Sequence, residues 1–338
     1  MKTVEQLEAK LAEPTERLVK DLASVDGDIV VLGVGGKMGP SLARLAMNAI
    51  REGGLNKRVI GVSRFSNAEA RQELEEAGVQ TVSCDLLNDE ELRRLPQAAN
   101  VIYMAGNKFG TTGREHFTWA MNTYLPGRVA ETYKDSRIVV FSSGNVYPFS
   151  AVGSGGVSED TAPEPLGEYA QSCLGRERIF EYFSHQHGTP MVMYRLNYAI
   201  DMRYGVLLEL ARAVQEGRAI DLTMGHANVI WQGDANEMAL RCLTRCTNPP
   251  QIVNVTGPET MSIRWAAGEF AKRLGKEAAF TGTESPNALL SNASKAHQWF
   301  GYPRVSLLQM IDWVAEWVQA GGTTWNKPTH FQERKGKF

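Results

Sequence analysis

Three glycines, Gly33, Gly36 and Gly39, are spaced at regular three-residue intervals where an apolar run passes into a helical pattern. Glycine lets the chain turn sharply and lets a phosphate approach the backbone closely. The helix that follows would offer free N–H groups and the positive end of its dipole to that phosphate. Glycines also make ordinary turns, so the spacing alone is weak evidence, but here the strand and the helix that the motif requires flank it. The loop therefore predicts a dinucleotide-binding site.

The ends of the next two apolar runs bear on which dinucleotide is bound. An acidic residue after the second run would bond the ribose hydroxyls of NAD, but Ser63 and Arg64 stand there. A guanidinium suits a 2′-phosphate and so favours NADP over NAD, with a solvated Arg64 stacked on adenine as the alternative. Asp85, after the third run, either accepts a hydrogen bond from the adenine amino group or caps a helix.

Seven short apolar runs indicate the strands that would position these residues. They span 28–32, 58–62, 80–84, 100–104, 137–142, 191–196 and 252–255, and helical stretches separate most of them. Strands that alternate with helices predict an α/β fold in which a parallel sheet is covered on both faces.

The composition narrows the classes of protein and partner. The chain has 338 residues, 43% of them hydrophobic, which is enough for a full core. A net charge of −2 gives no electrostatic reason to expect nucleic acid or an anionic membrane as partner. We find no signal peptide and no membrane-spanning stretch. The four cysteines lack the spacing of a metal site, which predicts free thiols in a reducing cytoplasm and no metal.

Further motifs lie between residues 28 and 318. They are the loop GVGGKMG, Cys84-Asp85-Leu86, Val101–Gly106, Asn122, Phe141–Tyr147, Tyr169, Arg195–Tyr198, Trp231–Asp234 and Asn254–Gly257. Together they resemble the extended short-chain dehydrogenases/reductases of the NAD-dependent epimerase/dehydratase family. The resemblance implies a Rossmann-type doubly wound parallel sheet that binds NAD(P) and a smaller C-terminal α/β substrate lobe. It also implies a homodimer formed through two helices of each subunit.

Enzymes of this family work through a serine, a tyrosine and a lysine. The resemblance places the serine at Ser143 and the tyrosine at Tyr169, which would exchange a proton with a substrate hydroxyl while hydride moves to or from the nicotinamide. The lysine position, four residues after the tyrosine, holds Cys173. An unassisted tyrosine is ionised in only about one molecule in a thousand at pH 7, and a thiol cannot stabilise the phenolate as an ammonium would.

Two side chains are candidates to take over from the missing lysine, and a reactive Cys173 is a separate possibility. Arg176 lies three residues beyond Cys173 and either leans back toward the site or faces solvent. Lys108, in the loop after the fourth strand, is the preferred substitute cation or substrate anchor, with a surface lysine as the alternative. Cys173 could itself be reactive, although cysteines in helices are mostly buried and inert.

The glycine loop and the resemblance together predict two sets of contacts. The cofactor contacts are Gly33, Gly35, Gly36, Lys37, Met38, Gly39, Ser63, Arg64, Asp85, Leu86, Met104, Ala105, Gly106, Asn122, Ser142, Tyr169 and Asn197. The substrate contacts are Lys108, Ser143, Asn145, Tyr147, Tyr198, His226 and Trp231. The last five could equally be structural loop residues.

We divide the chain into an N-terminal helical appendage (1–26), an NAD(P)-binding Rossmann domain (27–195), a mainly substrate-binding lobe (196–330) and a tail (331–338). Some strands of the lobe are expected to return to the Rossmann sheet. The predicted function is an NAD(P)-dependent oxidoreductase or epimerase that acts in the cytoplasm on a sugar, sugar acid or related polyol. The alternative is an NAD(P)-binding protein without efficient redox turnover, such as a sensor or regulator.

Overall fold

Seven strands form one central sheet in the computed structural model, which describes residues 1–108, 110 and 112–337. Their bounds are β1 (Ile29–Leu32), β2 (Val59–Ser63), β3 (Gln80–Ser83), β4 (Asn100–Tyr103), β5 (Arg137–Ser143), β6 (Met191–Leu196) and β7 (Gln251–Val255). Neighbouring strands are parallel, in the order β7-β6-β5-β4-β1-β2-β3. The strands match the seven apolar runs, so the predicted doubly wound parallel sheet is confirmed. The order reverses between β1 and β4, and such a reversal opens a crevice at the carboxyl ends of the strands.

Helices cover both faces of this sheet and build most of a second lobe. Their bounds are α1 (Val4–Leu11), α2 (Glu16–Ser24), α3 (Gly39–Glu52), α4 (Ala68–Glu76), α5 (Asp89–Arg93), α6 (Glu115–Trp119), α7 (Leu125–Thr132), α8 (Gly167–His187), α9 (Val206–Glu216), α10 (Gln232–Arg241), α11 (Ile263–Leu274), α12 (Ser294–Phe300) and α13 (Leu307–Gln319). A π-helical turn, Ala120–Tyr124, joins α6 to α7, and 3-10 turns span Gly144–Val146, Val152–Ser154 and Cys242–Arg245. In the described part of the chain, every helix is too short or too polar to cross a lipid bilayer.

The central sheet is buried on both faces because its strands are apolar at successive positions. In β1, Ile29 and Val31 belong to the hydrophobic cluster on one face, whereas Val30 and Leu32 belong to the cluster on the other. Successive strand residues point to opposite faces, so an unbroken apolar run fits a sheet that is covered on both sides.

A third cluster forms the core of the second lobe, where α9, α11 and α13 pack on one another around Phe270 and Trp317. Strand β7 follows α9 and α10 in the chain and returns to the central sheet beside β6. Pairs of two-residue strands lie within the lobe or join it to a loop that follows β5. They are Ala199–Ile200 with Ile230–Trp231, Ser150–Ala151 with Asn287–Ala288, Ile220–Asp221 with Phe280–Thr281, and His226–Ala227 with Met261–Ser262.

The N-terminal segment spans both lobes. Pro14 lies between α1 and α2, and the hydroxyls of Thr3 and Thr15 cap the two helices. The apolar face of α1 enters the second-lobe cluster, whereas that of α2 enters a cluster on the central sheet. The segment therefore contributes to both cores.

Candidate active site

The glycine loop between β1 and α3 has no room for side chains at three of its positions. A Cβ on Gly33, whose φ is +89°, would lie 2.7 Å from the Ala105 nitrogen. On Gly39 it would lie 2.2 Å from the Val34 carbonyl oxygen, and on Gly35 2.4 Å from the Ser63 hydroxyl. The loop therefore folds tightly against β2, β4 and the start of α3, and its bare backbone leads into the helix N-terminus. This cradle fits a pyrophosphate, which needs close approach to N–H groups.

A cavity of about 270 Å³, here called the inner cavity, opens beside the glycine loop. Predicted residues that line it are Gly33, Gly36, Lys37, Met38, Gly39, Met104, Gly106, Lys108, Ser142, Ser143, Tyr169 and Tyr198. Lining residues that were not predicted as contacts are Asn107, Phe141, Arg176, Leu196, Ala199, Ile200, Tyr204, Gly205, Val206 and Thr329. The chain thus brings the glycine loop, Ser143 and Tyr169 to one cavity.

Tyr169 lies in the first turn of α8, beside Ser143 in the inner cavity and in one apolar cluster with Cys173. Burial raises the pKa of the Tyr169 phenol well above its usual value, and the Cys173 thiol raises it further. The Arg176 guanidinium and the Ser143 hydroxyl act in the opposite direction on this pKa. The phenol is therefore held in its protonated form by its surroundings, with one cation opposing them.

Cys173 has no solvent exposure and packs against Val146, Tyr147 and Val157. Burial raises the pKa of its thiol, which works against a thiolate nucleophile. Cys173 therefore lies in a closed pocket whose walls are mostly apolar.

Arg176 is buried, with only 6% of its surface exposed, so the alternative of a solvent-facing arginine is wrong. Its Nη1 donates to the Phe141 carbonyl at 2.7 Å and its Nη2 to the Asn122 side-chain oxygen at 2.8 Å. Its Nε–H has no hydrogen-bond acceptor among the described residues. The seven-residue spacing from Tyr169 to Arg176 on one helix is the signal that places both on one face.

Two lysines also reach the inner cavity. Lys108 Nζ lies 5.8 Å from the centre of the Tyr169 ring, and burial lowers the pKa of this lysine. Lys37, in the glycine loop, donates to the Ala199 carbonyl at 3.2 Å and lies 4.2 Å from the centre of the Tyr204 ring. Burial lowers the Lys37 pKa to about 7, opposed by the Asp201 carboxylate.

Several predicted cofactor contacts lie outside the inner cavity. Arg64 is exposed beyond β2, and Leu86 is buried in the sheet core. Asn88 caps α5, so the interpretation of Asp85 as a helix cap is wrong; its carboxylate instead accepts the Leu87 N–H at 3.1 Å. Asn122 has no exposure and binds Arg176, Asn107 and Ser172.

The remaining predicted substrate contacts are dispersed. Asn145 and Tyr147 line a second cavity, also of about 270 Å³ and here called the outer cavity, and the Tyr147 hydroxyl donates to Asn254 at 2.9 Å. Asn197, predicted as a cofactor contact, is buried and donates to Asn228 at 3.3 Å. His226 is half-buried, whereas Trp231 has no exposure and lies in the second-lobe core.

A buried ion pair joins β6 and α8 beside the inner cavity. Arg195 on β6 donates to both carboxylate oxygens of Glu177 on α8, at 2.9 and 2.6 Å. The Ser142 hydroxyl donates to the same carboxylate at 2.5 Å. Since Glu177 follows Arg176 and Ser142 precedes Ser143, this pair joins the two segments that carry the candidate catalytic groups.

Many solved structures share this fold. A UDP-glucuronic acid 4-epimerase from Bacillus cereus, in complex with UDP-glucuronic acid and NAD, is 19% identical, with a TM-score of 0.69 over 86% of this chain and 99% of that chain. An epimerase from Methanothermobacter thermautotrophicus is 17% identical, with a TM-score of 0.73 over 90% and 96%. The dTDP-glucose 4,6-dehydratase DesIV from Streptomyces venezuelae, with NAD and TYD bound, is 16% identical, with a TM-score of 0.71 over 86% and 97%. No curated protein matches the sequence.

At these identities the neighbours establish the fold. The family is established by a sequence model of the NAD dependent epimerase/dehydratase family, which matches residues 29–241. That range contains the glycine loop, Ser143 and Tyr169, and it confirms the resemblance. The chain therefore belongs to the NAD dependent epimerase/dehydratase family of enzymes.

Proposed function

We propose that this enzyme is an NAD(P)-dependent oxidoreductase or epimerase of a sugar, sugar acid or related polyol, with an arginine in place of the usual lysine. The observation that carries the proposal is the convergence of the glycine loop, Ser143 and Tyr169 on the inner cavity. Solved neighbours that bind NAD and nucleotide sugars support a carbohydrate-derived substrate.

The residues present suit proton transfer at a substrate hydroxyl. A nicotinamide bound in the inner cavity would supply hydride transfer. Ser143 and Tyr169 line the same cavity, so a substrate hydroxyl bound by Ser143 lies within reach of the phenol. Tyr169 gives or takes the proton, and Ser143 orients the hydroxyl that carries it. Lys108, close to the Tyr169 ring, anchors the substrate.

Arg176 supplies the positive charge that Cys173 cannot. It lies on the same helix as Tyr169 and its charge lowers the Tyr169 pKa. Two hydrogen bonds, to Asn122 and Phe141, fix the guanidinium. Because an opposite charge in a water-poor site favours the ionised form, Arg176 offsets part of the effect of burial on the Tyr169 pKa.

Titration of the purified enzyme with NADH and NADPH, followed by nicotinamide fluorescence, tests the proposal. We expect binding in the micromolar range and its loss in Gly36→Asp, whose carboxylate would occupy the place of the pyrophosphate. Gly268→Asp is the matched control, since a Cβ at Gly268 meets nothing within 4 Å. Absence of binding to either nucleotide at millimolar concentration would refute the proposal.

We further propose NADP as the preferred cofactor, because Arg64 is exposed where the second strand ends. Arg64→Ala is expected to weaken NADPH binding about 10- to 100-fold, the effect of losing a charged hydrogen bond, and to change NADH binding much less. Arg94→Ala, another exposed arginine, is the control. An equal loss for both nucleotides would mean that Arg64 only stacks on adenine.

Cofactor affinity is expected to fall as the pH rises above 7. The Lys37 pKa is about 7 in the free protein, and a pyrophosphate beside it would raise that pKa by stabilising the ammonium. Between the free and bound pKa values the affinity should drop by at most about tenfold per pH unit. Lys37→Met should bind more weakly at pH 6 and lose this dependence, whereas Lys20→Met, an exposed lysine, should not. A flat profile for the unaltered enzyme from pH 6 to 9 would contradict the role of Lys37.

The homodimer and the cytoplasmic location stay predictions. Exposed Tyr124 and Tyr182, on neighbouring helical segments, offer an apolar surface for such a dimer.

A further inference from the structure

The segment after α13, residues 323–337 and here called the strap, is packed into the fold although it forms neither helix nor strand. Near the start of the strap, Trp325 contacts Arg203 of the second lobe. The Arg203 carbonyl accepts the Trp325 N–H at 3.0 Å, and the Arg203 guanidinium lies 4.6 Å from the centre of the Trp325 ring. Thr329 and Phe331 are 3% and 6% exposed, and Phe331 belongs to the second-lobe core. The strap is therefore a fixed part of the molecule.

The strap forms part of the wall of both cavities. Thr329 lines the inner cavity, where its N–H donates to the Glu209 carboxylate. Glu333 and Gly336 line the outer cavity together with Asn145 and Tyr147. Ser143, in the inner cavity, is only two residues from Asn145, so the two cavities follow one another along the same loop.

The C-terminal end of the strap packs against the start of α8. A Cβ on Gly167 would lie 2.2 Å from the Gly336 carbonyl oxygen, and Tyr169 follows two residues later. Arg334 holds this end in place: it donates to the Asn287 carbonyl at 3.0 Å and also to the Asn287 side-chain oxygen. Its guanidinium stacks 4.3 Å from the centre of the Phe149 ring, another residue of the outer cavity.

The two cavities differ in charge. Among the described residues, those that line the inner cavity include Lys37, Lys108 and Arg176 and no carboxylate. Those that line the outer cavity include Glu164 and Glu333 and no basic side chain. These two carboxylates would repel a diphosphate bound in the outer cavity.

We propose that the strap sets substrate specificity: it closes the outer cavity so that the site takes a compact, unlinked sugar or sugar acid and excludes nucleotide-linked sugars. This inference rests on the proposed function, since it concerns the substrate of the same site. A reacting carbon must lie near Ser143 and Tyr169. A nucleotide linked to another carbon of the same sugar would extend along the Ser143–Asn145 loop toward the space that Glu333, Gly336 and Phe149 border.

Binding of UDP, UDP-glucuronic acid and free D-glucuronate is measured by calorimetry with the full chain saturated with NAD. We expect no binding of UDP or UDP-glucuronic acid at ligand concentrations up to about 1 mM, at which even weak binding would be detected. Glucuronate is expected to bind measurably. Arg334→Ala removes the contacts with Asn287 and Phe149 and is expected to raise the affinity for UDP by at least about tenfold. Gln332→Ala, an exposed residue of the same strap, should leave UDP binding absent.

Binding of UDP by the unaltered enzyme with a Kd below about 100 µM would overturn the proposal. If Arg334→Ala then abolished that binding, Arg334 would be a phosphate ligand. Glu333→Gln removes one carboxylate without loosening the strap, and it should also gain UDP affinity. If neither Glu333→Gln nor a folded Arg334→Ala binds UDP, the strap does not determine specificity. NADH binding, measured on the same samples, separates these outcomes from failure of the proposed function: if NADH does not bind, the site itself has been misassigned.

Discussion

Replacing Arg176 by methionine is expected to lower kcat/KM by about 100-fold or more, the lower range of what acid–base catalysis contributes. Methionine preserves much of the volume but removes the charge that lowers the Tyr169 pKa. Burial then acts on the phenol unopposed by this cation, so the pKa rises and the activity profile moves to higher pH. The loss should lie mainly in kcat, because Arg176 is held by Asn122 and Phe141 and acts on Tyr169.

Two further variants separate charge from structure. Arg176→Lys keeps a cation and should recover part of kcat and the original pH profile, although it cannot make both hydrogen bonds in the same fork geometry. Arg178→Met removes an exposed arginine of the same helix and should be neutral. Tyr169 ionisation, followed by near-ultraviolet absorbance against Tyr169→Phe, gives a readout that needs no substrate. A folded Arg176→Met with unchanged kcat and Tyr169 ionisation would exclude Arg176 as the substitute cation and turn attention to Lys108.

Glu177→Gln is expected to lower the free energy of unfolding by about 3–5 kcal/mol, the typical effect of breaking a buried ion pair. Both partners are almost fully buried, so the change would leave the Arg195 charge without its counter-ion in an interior that hydrates it poorly. Ser142 would also lose the charged acceptor of its hydroxyl. Urea unfolding followed by circular dichroism measures the loss.

Glu181→Gln is the matched control, because Glu181 forms an exposed pair with Arg178 on the same helix. Exposed pairs contribute less than about 1 kcal/mol, so this variant should unfold almost like the unaltered enzyme. The double variant Glu177→Leu/Arg195→Met replaces both charges by apolar groups and should recover much of the stability. Similar losses of unfolding free energy in Glu177→Gln and Glu181→Gln would show that the buried pair stabilises the fold no more than an exposed pair does.

The surroundings of Cys173 could not be predicted from the chain alone. A lysine at position 173 would place an ammonium in the pocket that Val146, Tyr147 and Val157 close, one helical turn from the Arg176 guanidinium. Both the apolar walls and the like charge oppose it. The spacing of Arg176 admitted a role at the site, but whether its long side chain turned inward depended on acceptors from β5 and the π-helical turn.

The local pattern of apolar residues and glycines along the chain was sufficient to predict the central sheet and the glycine loop. An unbroken apolar run such as Ile29–Leu32 is stable only between two covered faces, and the glycine at 39 is required by the close approach of the Val34 carbonyl in the same loop. These properties are set by neighbours in sequence, so they can be recognised before the fold is known. Tertiary structure alone determined that Trp231 lies in a core and that Thr329 borders the inner cavity. Those positions depend on contacts between segments far apart in the chain, such as Thr329 with Glu209, which packing decides and local patterns do not encode.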